Sequence, residues 1–166
     1  MKVLGIDPGL TRCGVGVLTG APGKPLTLLA VDVLRTDPKS PLATRLHEIN
    51  QGLERWIDRH QPDEISVERV FVQANRRSAM ETAQAAGLAL SLAAARNIPV
   101  TLHTPSEVKA AVTGSGRADK AQVGEMVRRL LKLVEIPEPA DAADALALAI
   151  CHIQQSAIAT KIRASK

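Results

Sequence analysis

Three short apolar runs precede the first helical repeat in this chain, and that order limits most strongly what it can fold into. Residues 2–6 and 13–18 are apolar and are separated by a Pro/Gly/Thr turn, the pattern of a hairpin. A third run, LTLLAVDVL at 26–34, follows the turn between Gly20 and Pro25. Only then does a helical period begin. Ser40 as N-cap and Pro41 at the first helical position open a helix over 41–59, with Leu42, Leu46, Ile49, Leu53 and Trp56 on one stripe. A strand at 64–70, a long helix at 76–96 and a strand at 98–103 come next. Thr104, Pro105 and Glu107 form a capping-box start for a short helix that ends near Gly114. Beyond the loop GSGRA, a further helix carries Val123, Met126, Val127, Leu130, Leu131 and Val134 as its apolar stripe. Pro137 and Pro139 break it, and a last helix spans 141–158. Strands first, then helices alternating with strands, predict an α/β chain with a mixed sheet and helices on both faces. The order of strands does not follow from periodicity.

The 166 residues suit one domain, expected over 1–158, with a basic, flexible tail at 159–166. Lys and Arg outnumber Asp and Glu by 21 to 17, a mild excess that points to an anionic partner without proving one. The two cysteines, Cys13 and Cys151, lie in separate apolar runs, which excludes a disulfide framework and zinc spacing. The first apolar stretch is too short for a signal peptide and no run reaches membrane-spanning length, so a cytoplasmic protein is expected.

Against this background four acids are oddly placed. Asp7 ends the first apolar run, Glu68 lies inside ISVERV, and Asp141 and Asp144 open the last helix. Residues three apart on a helix share a face, with Cβ atoms roughly 5–6 Å apart. Each acid has a purely structural reading: Asp7 as a turn former before Pro8, Glu68 on a solvent-facing strand side, Asp141 as an N-cap with Asp144 in a first turn that favours acids. Together they read differently. Two strand acids and two helix acids converging on one sheet edge would repel one another unless a cation lay between them. Hard oxygen donors suit Mg²⁺ or Mn²⁺, and two such ions about 3.5–4 Å apart serve phosphodiester hydrolysis. The histidines, His47, His60, His103 and His152, are scattered, and no phosphate-binding Walker loop is present.

GIDPGLTRCGVGV at 5–17, VERVF at 67–71 and DAADALALAICH at 141–152, in that order and at these separations, closely resemble the RuvC family of bacterial Holliday junction resolvases. The resemblance runs from residue 2 to about 155. It implies an RNase H-like fold, a five-stranded mixed sheet whose first three strands are antiparallel. It also implies that Asp7, Glu68, Asp141 and Asp144 are the metal-binding catalytic acids, holding two Mg²⁺ with Mn²⁺ as substitute. The implied activity is resolution of four-way DNA junctions in recombination and repair, by paired symmetric nicks that leave 5′-phosphate and 3′-hydroxyl ends. The implied partners are a second copy of the chain and the branch-migration proteins RuvA and RuvB. Arg69 departs from the pattern, for many relatives carry an uncharged polar residue there, and some have His where Asp141 stands.

Other readings compete. A different RNase H-like nuclease would act on RNA or flaps, an actin-like ATPase would need two related domains, and a non-catalytic DNA scaffold would need no acid tetrad. Phe71 and Trp56 are the only aromatic residues. Trp56 falls on the helix stripe. Phe71 is either a cap on the core edge or a stacking residue at an opened junction, the second being the family's use of the matching Phe. Arg69, Arg76 and Arg77 form one basic group near it and Lys109, Arg117 and Lys120 another. All six are candidate DNA contacts, and the resemblance assigns Lys109 and Lys120 to binding and catalysis. Finally, residues 82–95 carry no charge at all. A surface helix should show a polar face, so a homodimer is expected through this helix, with Ala85, Leu88, Ala89 and Leu92 at the interface. The alternative is burial under the helix at 41–59.

Overall fold

The structure is a computed structural model that describes the backbone of residues 1–70 and 76–164 and the side chains of 1–70 and 78–156. The expectations for Phe71, for the Arg76 and Arg77 side chains and for a flexible tail at 159–166 lie outside the described side chains. The elements are β1 (Lys2–Asp7), β2 (Arg12–Thr19), β3 (Thr27–Arg35), α1 (Leu42–His60), β4 (Glu64–Glu68), α2 (Arg76–Ala95), β5 (Val100–His103), α3 (Pro105–Thr113), α4 (Lys120–Leu130) and α5 (Ala140–Ala164). The five strands form one sheet in the order β3-β2-β1-β4-β5. β1, β2 and β3 pair antiparallel, whereas β4 is parallel to β1 and β5 parallel to β4. The expected mixed α/β sheet of RNase H-like type is therefore present, with β1 at its centre.

Side-chain alternation divides the two faces of β1. Leu4 and Ile6, with Val15 and Val17 of β2, pack against Ile49, Leu53 and Ile57 of α1 and Ala89 and Ala93 of α2. Gly5 and Asp7 point the other way, where Gly5 lies opposite Gly16 and Asp7 opposite Gly14. A Cβ on Gly5 would collide with the Ala145 carbonyl oxygen, and one on Gly14 with the Asp141 carbonyl oxygen. The glycines thus let α5 lie directly on strand backbone. Ser66 of β4 fixes the same helix, its hydroxyl donating to the Leu148 carbonyl at 3.0 Å. α3 and α4 pack beside α5 through Val108, Val112, Val123 and Val127.

Several local expectations change. The chain stays extended through Pro41 (φ −55°, ψ 145°), so Pro41 rather than Ser40 is the N-cap of α1, and it has no side-chain oxygen to offer. The Ser40 amide instead closes the preceding turn on the Asp37 carbonyl at 3.0 Å. β4 stops at Glu68, and the Arg69 amide ends the ladder on the His103 carbonyl at 2.8 Å. α4 ends at Leu130, and Lys132 turns the chain with φ 55°, so Val134 leaves the apolar stripe and is 93% exposed.

The predicted dimer face is corrected as well. Ala85, Ala89 and Leu92 are buried in the chain's own core beside α1, and Leu88 is half-buried against it. The face of α2 open to solvent is instead the stripe Met80, Ala83, Gln84, Gly87, Ser91 and Ala94. A charge-free helix does not reveal in its sequence which side faces inward. Among the described residues, no helix is long and apolar enough to cross a membrane.

Candidate active site

Asp7 and Glu68 are the last residues of two adjacent parallel strands, so their carboxylates emerge at the same sheet edge. α5 begins at Ala140 above that edge and brings Asp141 and Asp144 onto it from its first turn and a half. Asp141 is therefore inside the helix and not its N-cap. The four acids line one cleft of about 860 Å³, together with Arg69, Lys109 and Lys120. Lys120 is the first residue of α4, placed there by a capping box in which Asp119 and Gln122 bond each other's backbone amides.

The charges in this cleft are arranged in two tiers. On the floor, Asp7 and Glu68 hydrogen-bond to each other. Burial first, then repulsion from Glu68, Asp144 and Asp141, pushes the Asp7 carboxyl well above its ordinary range. Glu68 is also raised, mainly by burial, against the pull of its bond from Asp7 and of Lys120 and Lys109. At the rim each helix acid meets a cation. Lys120 Nζ lies 3.1 Å from Asp144 Oδ2, and Arg12 Nε lies 3.1 Å from Asp141 Oδ2. The Asp144 carboxylate, more than anything else, raises the Lys120 ammonium.

Among the described residues, no three Asp, Glu, His or Cys side chains are drawn together as ligands of a single ion: the floor acids pair with each other, and the helix acids lean on Arg12 and Lys120. The donor set nonetheless fits a hard dication. It is all carboxylate oxygen, and the upward shifts of Asp7 and Glu68 show negative charge held at a cost that a cation would relieve.

Of the expected DNA contacts, Arg69, Lys109 and Lys120 reach this cleft. Arg117 does not; it lines a separate hollow of about 510 Å³ with Glu125 and Arg129. The sequence reading missed Arg12, the first residue of β2 after the turn that follows Asp7. Its only signal was a charge directly before an apolar strand, and nothing local reveals its partner on α5. It also missed that Ser78 and Thr82 of α2 reach the cleft.

A five-stranded sheet in this order, with carboxylates at the ends of its two inner parallel strands and on the helix above them, defines a protein of the RNase H-like class. The family model for crossover junction endodeoxyribonuclease RuvC matches residues 3–152. The crossover junction endodeoxyribonuclease RuvC of Streptomyces griseus is 65% identical over 153 residues, covering 92% of this chain and 75% of that protein. Its counterpart in Thermobifida fusca is 59% identical over 162 residues, covering 98% and 89%. The solved structure of Thermus thermophilus RuvC in complex with a Holliday junction substrate is 35% identical and covers 96% of this chain and 97% of that one, with a TM-score of 0.91. The yeast mitochondrial Holliday junction resolvase, at 15% identity and a TM-score of 0.70, shares the fold. This chain belongs to the RuvC family of crossover junction endodeoxyribonucleases.

Proposed function

We propose that this chain cleaves four-way DNA junctions by metal-dependent hydrolysis, with Asp7, Glu68, Asp141 and Asp144 holding two Mg²⁺, or Mn²⁺ in their place. The observation that carries this reading is the meeting of the four acids in one cleft with a basic rim. It is supported by the junction held by the Thermus thermophilus relative. Bound there, two dications would supply an activated water and stabilise the leaving oxygen of the phosphodiester. The protein's own groups do the rest. Asp7 and Glu68, fixed at strand ends, give a rigid floor. Asp141 and Asp144 descend from a helix seated on glycine backbone, which fixes their height above the floor. Lys109 and Lys120 act as point charges on the scissile phosphate and steady the charge that develops there. Arg69 adds a phosphate contact, and Phe71 stacks on a base opened at the exchange point. The products carry 5′-phosphate and 3′-hydroxyl ends.

Resolution of a two-fold substrate by paired nicks calls for two matched sites, hence a homodimer. The interface assigned to it is the exposed α2 stripe, whose small residues around Gly87 allow close helix approach about a two-fold axis. Gly87→Arg should yield monomers of 17.6 kDa that no longer make paired nicks. Cooperation with RuvA and RuvB and a cytoplasmic location belong to the same reading.

The test is incubation with a synthetic four-way junction, with Mg²⁺ or with chelator, read on a denaturing gel. Symmetric nicks in two strands of like polarity are expected only with Mg²⁺. Absence of cleavage with both Mg²⁺ and Mn²⁺, or equal cleavage of linear duplex, would overturn the reading.

A further inference from the structure

Arg12 is held in the cleft by construction. The buried Arg45 of α1 donates from Nη2 to the Thr11 hydroxyl at 2.7 Å and from Nε to the Thr36 hydroxyl at 2.9 Å. Thr36 in turn donates its hydroxyl to the Leu10 carbonyl at 2.7 Å and its amide to the Thr11 carbonyl at 3.2 Å. On the other side of the turn, a Cβ at Gly9 would collide with the Arg12 carbonyl, so only glycine lets the chain close so tightly. The backbone on either side of Thr11 is thereby pinned, and Arg12 is delivered to the cleft wall at the first position of β2.

Its contact there is a particular one. Arg12 Nε lies 3.1 Å from Asp141 Oδ2, while the Arg12 side chain is 54% exposed and that of Asp141 only 20%. A carboxylate expected to ligate a dication thus already has a cation, supplied by the turn that follows Asp7. Asp141 cannot give its full charge to both.

We propose that Arg12 is the resting counter-cation of Asp141, a positioning residue that a divalent ion displaces and whose guanidinium is thereby released to a DNA phosphate. The proposal rests on the reading of the four acids as metal ligands. It has two consequences. In DNA-free protein the ion pair competes with metal, which should weaken metal binding by about twofold to fivefold, the range expected of a half-exposed pair. With DNA present, the released planar fork can take a phosphate bidentately, so metal and junction should strengthen each other's binding. Lysine at this position would still neutralise Asp141 but would lack the fork.

The experiment measures Mn²⁺ binding to DNA-free wild type, Arg12→Ala and Arg12→Lys by the paramagnetic signal of free Mn²⁺. It also measures junction affinity of the three proteins with and without Ca²⁺. Arg12→Ala should bind Mn²⁺ about twofold to fivefold more tightly than wild type, whereas Arg12→Lys should match wild type. A structural role alone would loosen metal binding in Arg12→Ala, the opposite sign. Ca²⁺ should tighten junction binding more in wild type than in either variant. Mn²⁺ binding in Arg12→Ala no tighter than wild type, or an undiminished Ca²⁺ effect on its junction affinity, would overturn the proposal. A wild type that binds no Mn²⁺ would defeat the metal-ligand reading itself, and this proposal with it.

Discussion

α5 lies along one seam of the sheet, and the two ends of that seam handle their titratable groups in opposite ways. At one end are Asp7, Glu68, Asp141 and Asp144. Toward the other, His152 Nε2 lies 2.7 Å from Glu64 Oε2, and the bonds then cross to β5, where His152 Nδ1 lies 3.1 Å from Nε2 of His103, the residue in register with Glu68, and His103 Nδ1 faces the Cys151 thiol at 3.8 Å. The carboxylate of Glu64 accepts from His152, which sets both tautomers in turn and makes the chain of bonds self-contained. His103 and His152 are buried, with burial and then His152 pushing His103 below the usual imidazole range. The histidine end has its side chains hydrogen-bonded to one another. The acid end opens into a cleft and keeps its floor carboxyls raised by burial and mutual repulsion. Both ends hang on the same helix, seated by the same glycines and by Ser66. The end whose charges are left in conflict is the end equipped for chemistry, and the satisfied end holds α5 to β4 and β5.

The largest expected effect breaks the acid end alone. Asp7→Asn or Asp144→Asn should lower junction cleavage by several orders of magnitude while junction binding survives, as read by gel shift and denaturing gel. Asp7→Asn should also raise the metal-free melting temperature, because it removes a buried, repelled carboxylate. The next effect breaks the histidine end. His152→Ala strands Glu64 and His103 and should cost about 1–3 kcal/mol of stability, seen in thermal melting, with cleavage by the folded protein near the wild-type rate.

The two ends should also respond to pH with opposite signs. Asp7 and Glu68 have folded-state pKa values above their unfolded ones, so their contribution to stability is full at low pH and is lost as pH rises through the raised values. His103 has a depressed folded-state pKa, so its contribution is full above the unfolded imidazole value and is lost as pH falls below it. Glu107 and Arg69, which also face His103, pull it up and down respectively. Melting curves of metal-free protein should therefore show a weaker decline with rising pH in Asp7→Asn, with the part due to Glu68 remaining, and keep their low-pH decline. The smallest effect lies at the rim. Lys109→Ala and Lys120→Ala should each reduce the slope of log affinity for junction against log salt by about 1.

Legibility in the sequence followed the range of the interactions. The acid at the end of the first strand and the glycines around it stand within one short segment, and the capping box at Thr104–Glu107 is local chemistry that the structure repeats bond for bond. The shared face of Asp141 and Asp144 near the start of α5 was visible in their spacing. What stayed hidden depends on partners far along the chain. Arg12 with Asp141, and His152 with Glu64 and His103, are brought together only by the seating of α5. The inward side of α2 was misassigned because a helix without charges looks alike all round, and packing on Ile49, Leu53 and the sheet decides which alanines are buried.

The most direct test of the contrast between the two ends is thermal melting of wild type, Asp7→Asn and His152→Ala, each with and without Mn²⁺. A ligand that binds only the folded state raises its melting temperature. Mn²⁺ should raise the melting temperature of wild type and His152→Ala by the same increment and leave Asp7→Asn unmoved. Equal stabilisation of Asp7→Asn by Mn²⁺, or loss of the increment in His152→Ala, would contradict the assignment of metal binding to the acid end of the seam.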